Sequence, residues 1–212
     1  AHRWLRRLLV LMSAIPTVLL IIAIIIMARP QSMQKPRALR SVTNIEICLD
    51  VSGSMGFSGG QRYRSAAKAI SDFTLVREGD AMGLTLFGFA QVRWIPLTKD
   101  LQAVRNALPF ANPEHQPRQM NGTAIGACLN FACQNIADEA LEGDRLIILV
   151  SDGQSPDVKG GRQYELANEL IAARCVLYYI HVAEDAPMMS EVAEMARLTG
   201  GEGLAASDRA SL

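Results

Sequence analysis

The 212-residue sequence predicts an α/β domain, a doubly wound and mostly parallel sheet with helices on both faces, preceded by one transmembrane helix. Three observations carry this. Short runs that are apolar throughout alternate with amphipathic helical stretches, as strands buried on both faces require. Residues 8–27 (LLVLMSAIPTVLLIIAIIIM) contain no charged side chain. Two of the apolar runs end in aspartate beside serine and glycine, at the strand ends where open α/β sheets place their ligands.

The amino end divides into a basic flank (1–7), a transmembrane helix (8–27) and a basic, proline-containing linker (28–43), with the globular domain over 44–212. Twenty helical residues rise about 30 Å, the thickness of a bilayer's hydrocarbon core. The run exceeds the ~7–15 apolar residues of a secretory signal, and Ile26 stands where a cleavage site needs a small residue. Pro16 is tolerated in a membrane helix. Arg3, Arg6 and Arg7 on one side balance Arg29, Lys35, Arg37 and Arg40 on the other, so charge alone does not orient the helix.

Residues 1–40 carry seven Lys or Arg and no acid, whereas 41–212 carry 14 basic and 21 acidic residues, a net charge of −7. An acidic domain excludes a dedicated nucleic-acid binder. A composition that is 50% hydrophobic excludes intrinsic disorder.

Within the domain, IEICLDV (45–51) reads as a buried strand running into a Gly/Ser turn. Residues 61–77 place Tyr63, Ala66, Ala67, Ile70 and Phe73 on one helical face. AMGLTLFGF (81–89) and QVRWI (91–95) are strands too close in sequence for a crossover, and so pair antiparallel. A short helix over 100–108 leads into 109–122, a loop with three prolines. The next helix, 123–141, carries Ile125, Cys128, Leu129, Ala132 and Ile136 at helical spacing. RLIILVSD (145–152) is a second wholly apolar strand. A helix at 163–173, a strand at 175–183 and a helix at 188–198 follow, with Met188, Met189 and Met195 read as core filling.

Three polar segments are expected to converge. Asp50, Ser52 and Ser54 alternate after the first strand, so an extended loop can aim all three side chains at one point. Thr123 opens the central helix within Asn121–Gly126, and Asp152 ends the strand in Ser151-Asp152-Gly153. Carboxylate and hydroxyl oxygens without Cys or His suit a hard cation, Mg²⁺ first with Mn²⁺ or Ca²⁺ as alternatives, rather than zinc. Asp50 is expected at a solvent-open position. The loop 109–122 borders this point and is either a solvated connection or a recognition rim, using Phe57 beside the first segment and Phe110, Glu114, His115 and Arg118.

The pattern Asp50-x-Ser52-x-Ser54, then Thr123, then Asp152 resembles the metal-ion-dependent adhesion site of von Willebrand factor type A (VWA) domains, and the resemblance spans residues 44–205. It implies a six-stranded sheet in the order 3-2-1-4-5-6 with one antiparallel edge strand. It implies a metal held by the two serines and the threonine, with the aspartates acting directly or through water. One coordination position stays open for an Asp or Glu of a protein partner. In that strand order one strand separates Cys48 from Cys175, and Cys128 and Cys133 point about 140° apart on their helix, so neither pair is expected to form a disulfide.

The apolar helix running into Ala28-Arg29-Pro30-Gln31, and the tail LTGGEGLAASDRASL, resemble the bacterial aerotolerance BatA-type membrane VWA proteins. Gly203 and Leu204 stand where that family has an aromatic residue. Its members have a further transmembrane helix at each end, which would put Arg3, Arg6 and Arg7 in a cytoplasmic loop and the domain on the periplasmic or extracellular side of the inner membrane. The resemblance also implies association with a MoxR-type ATPase system.

Catalysis lacks its parts. The histidines are His2, His115 and His181, no Gly-x-Ser-x-Gly elbow exists, and Ser52 stands where a phosphatase of the haloacid-dehalogenase type needs a second acid. GFSGG (56–60) lacks the Lys-Ser/Thr of a phosphate-binding loop. The sequence therefore reads as a non-enzymatic, single-pass, membrane-anchored binding module of a bacterial envelope assembly. A constitutive scaffold with a purely structural metal is the alternative, and a metal-dependent hydrolase ranks behind both.

Overall fold

The computed structural model describes residues 42–183 and 186–205, with individual positions between Arg3 and Leu20. The chain divides into two units, Ala1–Arg40 and Ser41–Leu212. In the first, the described positions are helical, and Trp4, Met12, Ile15, Val18, Leu19 and Leu20 are exposed. Most of the predicted membrane segment 8–27, and nearly all of the linker, lie outside the described residues. Among the described residues no helix is long and apolar enough to cross a membrane.

The second unit holds strands β1 (Asn44–Asp50), β2 (Ala81–Phe87), β3 (Gln91–Thr98), β4 (Arg145–Ser151), β5 (Cys175–His181) and β6 (Gly203–Ala205). Its helices are α1 (Phe57–Val76), α2 (Leu101–Ala107), α3 (Ile125–Glu139), α4 (Arg162–Ala172) and α5 (Ser190–Leu198). One sheet runs β3-β2-β1-β4-β5-β6. β1 pairs in parallel with β2 and with β4. β2 and β3 form the antiparallel edge, and β5 and β6 continue the parallel ladder. The chain therefore builds outward from β1 in one direction, then returns to build outward from β4 in the other. Between those two strands the order reverses, which opens a crevice beyond their carboxyl ends.

Alternation along the strands feeds two cores. Ile45, Ile47 and Leu49 of β1 join Leu84, Leu86, Ile148 and Val150 under α1 and α2, where Tyr63, Ala66, Ile70 and Val104 are buried. On the other face, Cys48, Phe87, Ile147, Leu149, Leu177 and Tyr179 meet Ile125, Cys128, Leu129, Ala132 and Ile136 of α3. Met189 and Met195 are buried on that side and Met188 packs against it, as core filling requires. One polar cluster interrupts this face: Thr85 Oγ1 donates to Glu46 Oε1 at 2.6 Å, deep in the sheet.

Several boundaries move. α1 begins at Phe57, four residues before the predicted start, and β3 continues through Pro96 to Thr98. Pro96 is accepted because the ladder is irregular between its Leu84–Ile95 and Met82–Thr98 pairs on an edge strand, where a missing N–H breaks little. The loop 109–122 contains short 3₁₀ turns at Leu108–Ala111, Pro113–His115 and Arg118–Met120, and buries Ala111 and Met120. The three-residue β6 was not legible as a run of its own. All four cysteines are free. β4 separates Cys48 from Cys175, as expected. The structure instead sets Cys128 near Cys48 and Cys133 near Cys175, and in each pair the neighbouring thiol, with burial, pushes the Cys48 and Cys133 thiols up.

Candidate metal centre

The crevice between β1 and β4 gathers all five predicted positions at or beside strand ends. Asp50 ends β1 and is fully buried, not solvent-open as the sequence suggests. Its Oδ1 accepts the Ser52 N–H at 2.8 Å, and its Oδ2 accepts the Ser151 hydroxyl at 2.5 Å. Burial holds this carboxyl up at about 6; the Asp152 charge adds to the effect, and the bonds from Ser151 and Ser52 oppose it. Both hydrogen bonds come from neutral donors, so the carboxylate is costly to ionise here without a cation.

Ser54 Oγ donates to Asp152 Oδ1 at 2.8 Å. Its single hydrogen is thereby used, so in the 3.0 Å contact between the two serine hydroxyls Ser52 is the donor. Arg62, from the second turn of α1, places Nη1 2.5 Å from Asp152 Oδ2. Thr123 reaches the same space: a Cβ built on Gly153 would stand 3.2 Å from Thr123 Oγ1 and 3.9 Å from Asp50 Oδ2. The glycine thus leaves a cradle between a hydroxyl and a buried carboxylate. Two carboxylates and three hydroxyls, all oxygen, fit a hard divalent cation. Among the described residues no group of three or more His, Cys, Asp or Glu side chains that could hold a metal ion gathers.

The start of α3, two residues after Thr123 and not at it as the sequence suggests, is fixed from across the crevice. Its N-cap position, Ala124, supplies no side-chain cap. Ser155 Oγ instead accepts the Ile125 N–H at 2.9 Å, and Asp157 Oδ2 accepts the Ala127 N–H at 3.1 Å. These two side chains do at a distance what a local cap does.

A family model for the von Willebrand factor type A domain matches residues 45–154. The chain belongs to the von Willebrand factor type A family. Solved structures agree on the fold of this VWA domain. An aerotolerance-related membrane protein from Bacteroides fragilis is 22% identical, covering 79% of this chain and 92% of its own, with a TM-score of 0.64. The conserved hypothetical protein BatB from Bacteroides thetaiotaomicron is 21% identical over 77% of this chain and 89% of its own, with a TM-score of 0.63. The vWF domain of the type V pili tip protein Mfa5 from Porphyromonas gingivalis is 14% identical over 82% and 93%, with a TM-score of 0.59. No curated protein matches the chain.

The candidate rim residues of this VWA domain, Phe57, Phe110, Glu114, His115 and Arg118, are all exposed. The two loops touch: a Cβ on Gly56 would meet Pro113 at 3.8 Å, and one on Gly53 would meet the Asn121 side chain at 3.9 Å. The sequence reading missed Phe89, which is 71% exposed and packs beside Gly122, next to Thr123. It also missed Ser151, Ser155, Asp157 and Arg62, whose contacts join residues 30 to 101 positions apart. His181 is a packed residue: its Nε2 faces the Ala186 carbonyl at 2.8 Å and so carries the proton, leaving Nδ1 to accept from Tyr179 Oη at 3.0 Å.

Proposed function

We propose that this VWA domain binds a divalent cation, Mg²⁺ first, with Ser52, Ser54 and Thr123 supplying hydroxyl oxygens and Asp50 and Asp152 the charge. The observation that supports it most is the buried Asp50 carboxylate, held by neutral donors and facing the Thr123 hydroxyl across the Gly153 cradle. When bound, the ion would neutralise that carboxylate and offer a remaining position to an acidic side chain, Asp or Glu, of a protein partner. The residues of the chain itself orient this. Ser151 and Ser52 fix Asp50, Ser54 fixes Asp152, and Ser155 with Asp157 fixes the helix start that follows Thr123. Phe57, directly after the serine loop, and Phe89, beside Gly122, are each about two-thirds exposed or more, which supports an apolar rim for an interaction surface.

In this reading the domain is a non-enzymatic interaction module, anchored in a bacterial inner membrane by residues 8–27 and facing outward. The exposed Met12, Ile15, Val18 and Leu19 on a helical stretch support the anchor, because lipid is the surrounding such side chains favour. Association with a MoxR-type ATPase system is indirect in this orientation, because direct contact would require the domain to be cytoplasmic. The test is copurification from detergent-solubilised membranes. A protein retained with Mg²⁺, and lost both on chelation and in Asp50→Asn, is the expected result. A partner retained under all three conditions would favour a constitutive scaffold.

A further inference from the structure

Asp152 is already engaged by a cation of the chain itself. Arg62 Nη1 lies 2.5 Å from its Oδ2, while Oδ1 accepts from Ser54 at 2.8 Å. The Asp152 side chain is fully buried and that of Arg62 is 21% exposed. The pair is thus shielded from water, unlike the exposed ion pairs that contribute little. The metal-site pattern of two aspartates, two serines and a threonine contains no basic residue, so nothing in it calls for this arginine. A divalent ion drawing on Asp152 must displace the guanidinium from that oxygen or tolerate its charge at close range, and either costs affinity.

We propose that Arg62 is a built-in competitor for the divalent ion and sets the metal affinity of the site. The proposal rests on the metal-binding reading above. It has a consequence for partner binding. An acidic group that docks at the same opening and accepts Arg62 removes the competitor, so it raises the affinity for the ion. By linkage the ion raises the affinity for that group by the same factor. Ion and acidic partner then bind together rather than in sequence.

Calorimetric titration of the full chain in detergent with Mg²⁺ tests this, using the wild type, Arg62→Gln, Arg62→Lys and Arg64→Gln. Arg62→Gln is expected to bind Mg²⁺ about tenfold or more tightly than the wild type, the scale of one charged hydrogen bond. Arg62→Lys keeps the charge and stays near the wild type. Arg64, two positions on, is exposed and bonds to the Gly59 carbonyl, so Arg64→Gln leaves the affinity unchanged. If removing Arg62 destabilises the fold, the rise in melting temperature on adding Mg²⁺ reports the same quantity, and it should be larger in Arg62→Gln than in the wild type. Equal or weaker binding by Arg62→Gln, or an equal gain in Arg64→Gln, overturns the competitor role and leaves the metal site standing. Absence of Mg²⁺ and Mn²⁺ binding in every variant overturns the metal site, and this proposal with it.

Discussion

Glu46→Gln is expected to stabilise the domain at pH 8 and to leave it nearly unchanged at pH 5. Glu46 lies within β1 with no exposed surface. Thr85 Oγ1 donates to its Oε1 at 2.6 Å, and the Asn135 amide supports Thr85 from α3 at 3.4 Å. Its Oε2 has no hydrogen-bond partner and fills the space above Gly83, where a Cβ would stand 2.1 Å away. Burial pushes the carboxyl from 4.5 up to about 7, with Glu139 adding to the rise and the Thr85 bond, the Arg93 charge and Asn135 opposing it. The folded chain therefore holds this proton more tightly than the unfolded chain. The stabilisation it brings is complete below about pH 4.5 and is lost as the pH rises through about 7, a difference of about 3 kcal/mol between the two limits. Glutamine keeps the shape and the Oε1 acceptor but never ionises. Urea unfolding of both proteins between pH 5 and 8 should show Glu46→Gln gaining on the wild type with pH, up to about 3 kcal/mol. Comparing the two proteins cancels the other titrating groups, Asp50 among them. A stability difference that stays constant across that range would refute the reasoning.

Thr123→Val keeps the shape and loses the hydroxyl, so Mg²⁺ affinity should fall while the melting temperature shifts by only a few degrees; an unchanged titration would reduce Thr123 to a structural role. Gly88→Ala places a Cβ 1.8 Å from the Met120 carbonyl oxygen, where backbone cannot yield, and should destabilise the domain by about 2 kcal/mol and weaken Mg²⁺ binding by pushing the 109–122 loop off the β2–β3 turn. Intact stability in urea would show that the loop is not held there. After carbonate washing of membranes the full chain should stay in the pellet, because residues 8–27 are long enough to span a bilayer; its release would contradict the anchor.

The parts of the centre that were legible in the sequence are those that strand chemistry announces locally. Asp50, Ser52 and Ser54 alternate over five residues, and Asp152 ends an apolar run, so period and position alone place them at the sheet's carboxyl edge. The strand-to-helix rhythm was legible for the same reason. What was not legible depends on chain segments far apart. Ser151 reads as the end of a strand until β4 is laid beside β1, where its hydroxyl meets Asp50. Arg62 reads as a solvated helix residue until α1 packs over the crevice. Ser155 and Asp157 follow a strand-end turn and give no local sign that they cap a helix beginning 30 residues earlier. The burial of Asp50 was missed because strand ends are usually wet, whereas this one is closed over by the serine loop and by Gly153.

Calorimetric titration of Mg²⁺ into the full chain in detergent, with the wild type beside Asp50→Asn, tests the central claim most directly. Asparagine keeps an oxygen to accept the Ser52 N–H and an amide facing Ser151, so the fold is retained and only the negative charge is lost. The account predicts saturable one-site binding by the wild type and loss of that binding in Asp50→Asn, whose melting temperature without metal at neutral pH is no lower than the wild type's, because asparagine removes a buried charge that is costly to ionise. Equal Mg²⁺ binding by both proteins, or none by the wild type, would contradict it.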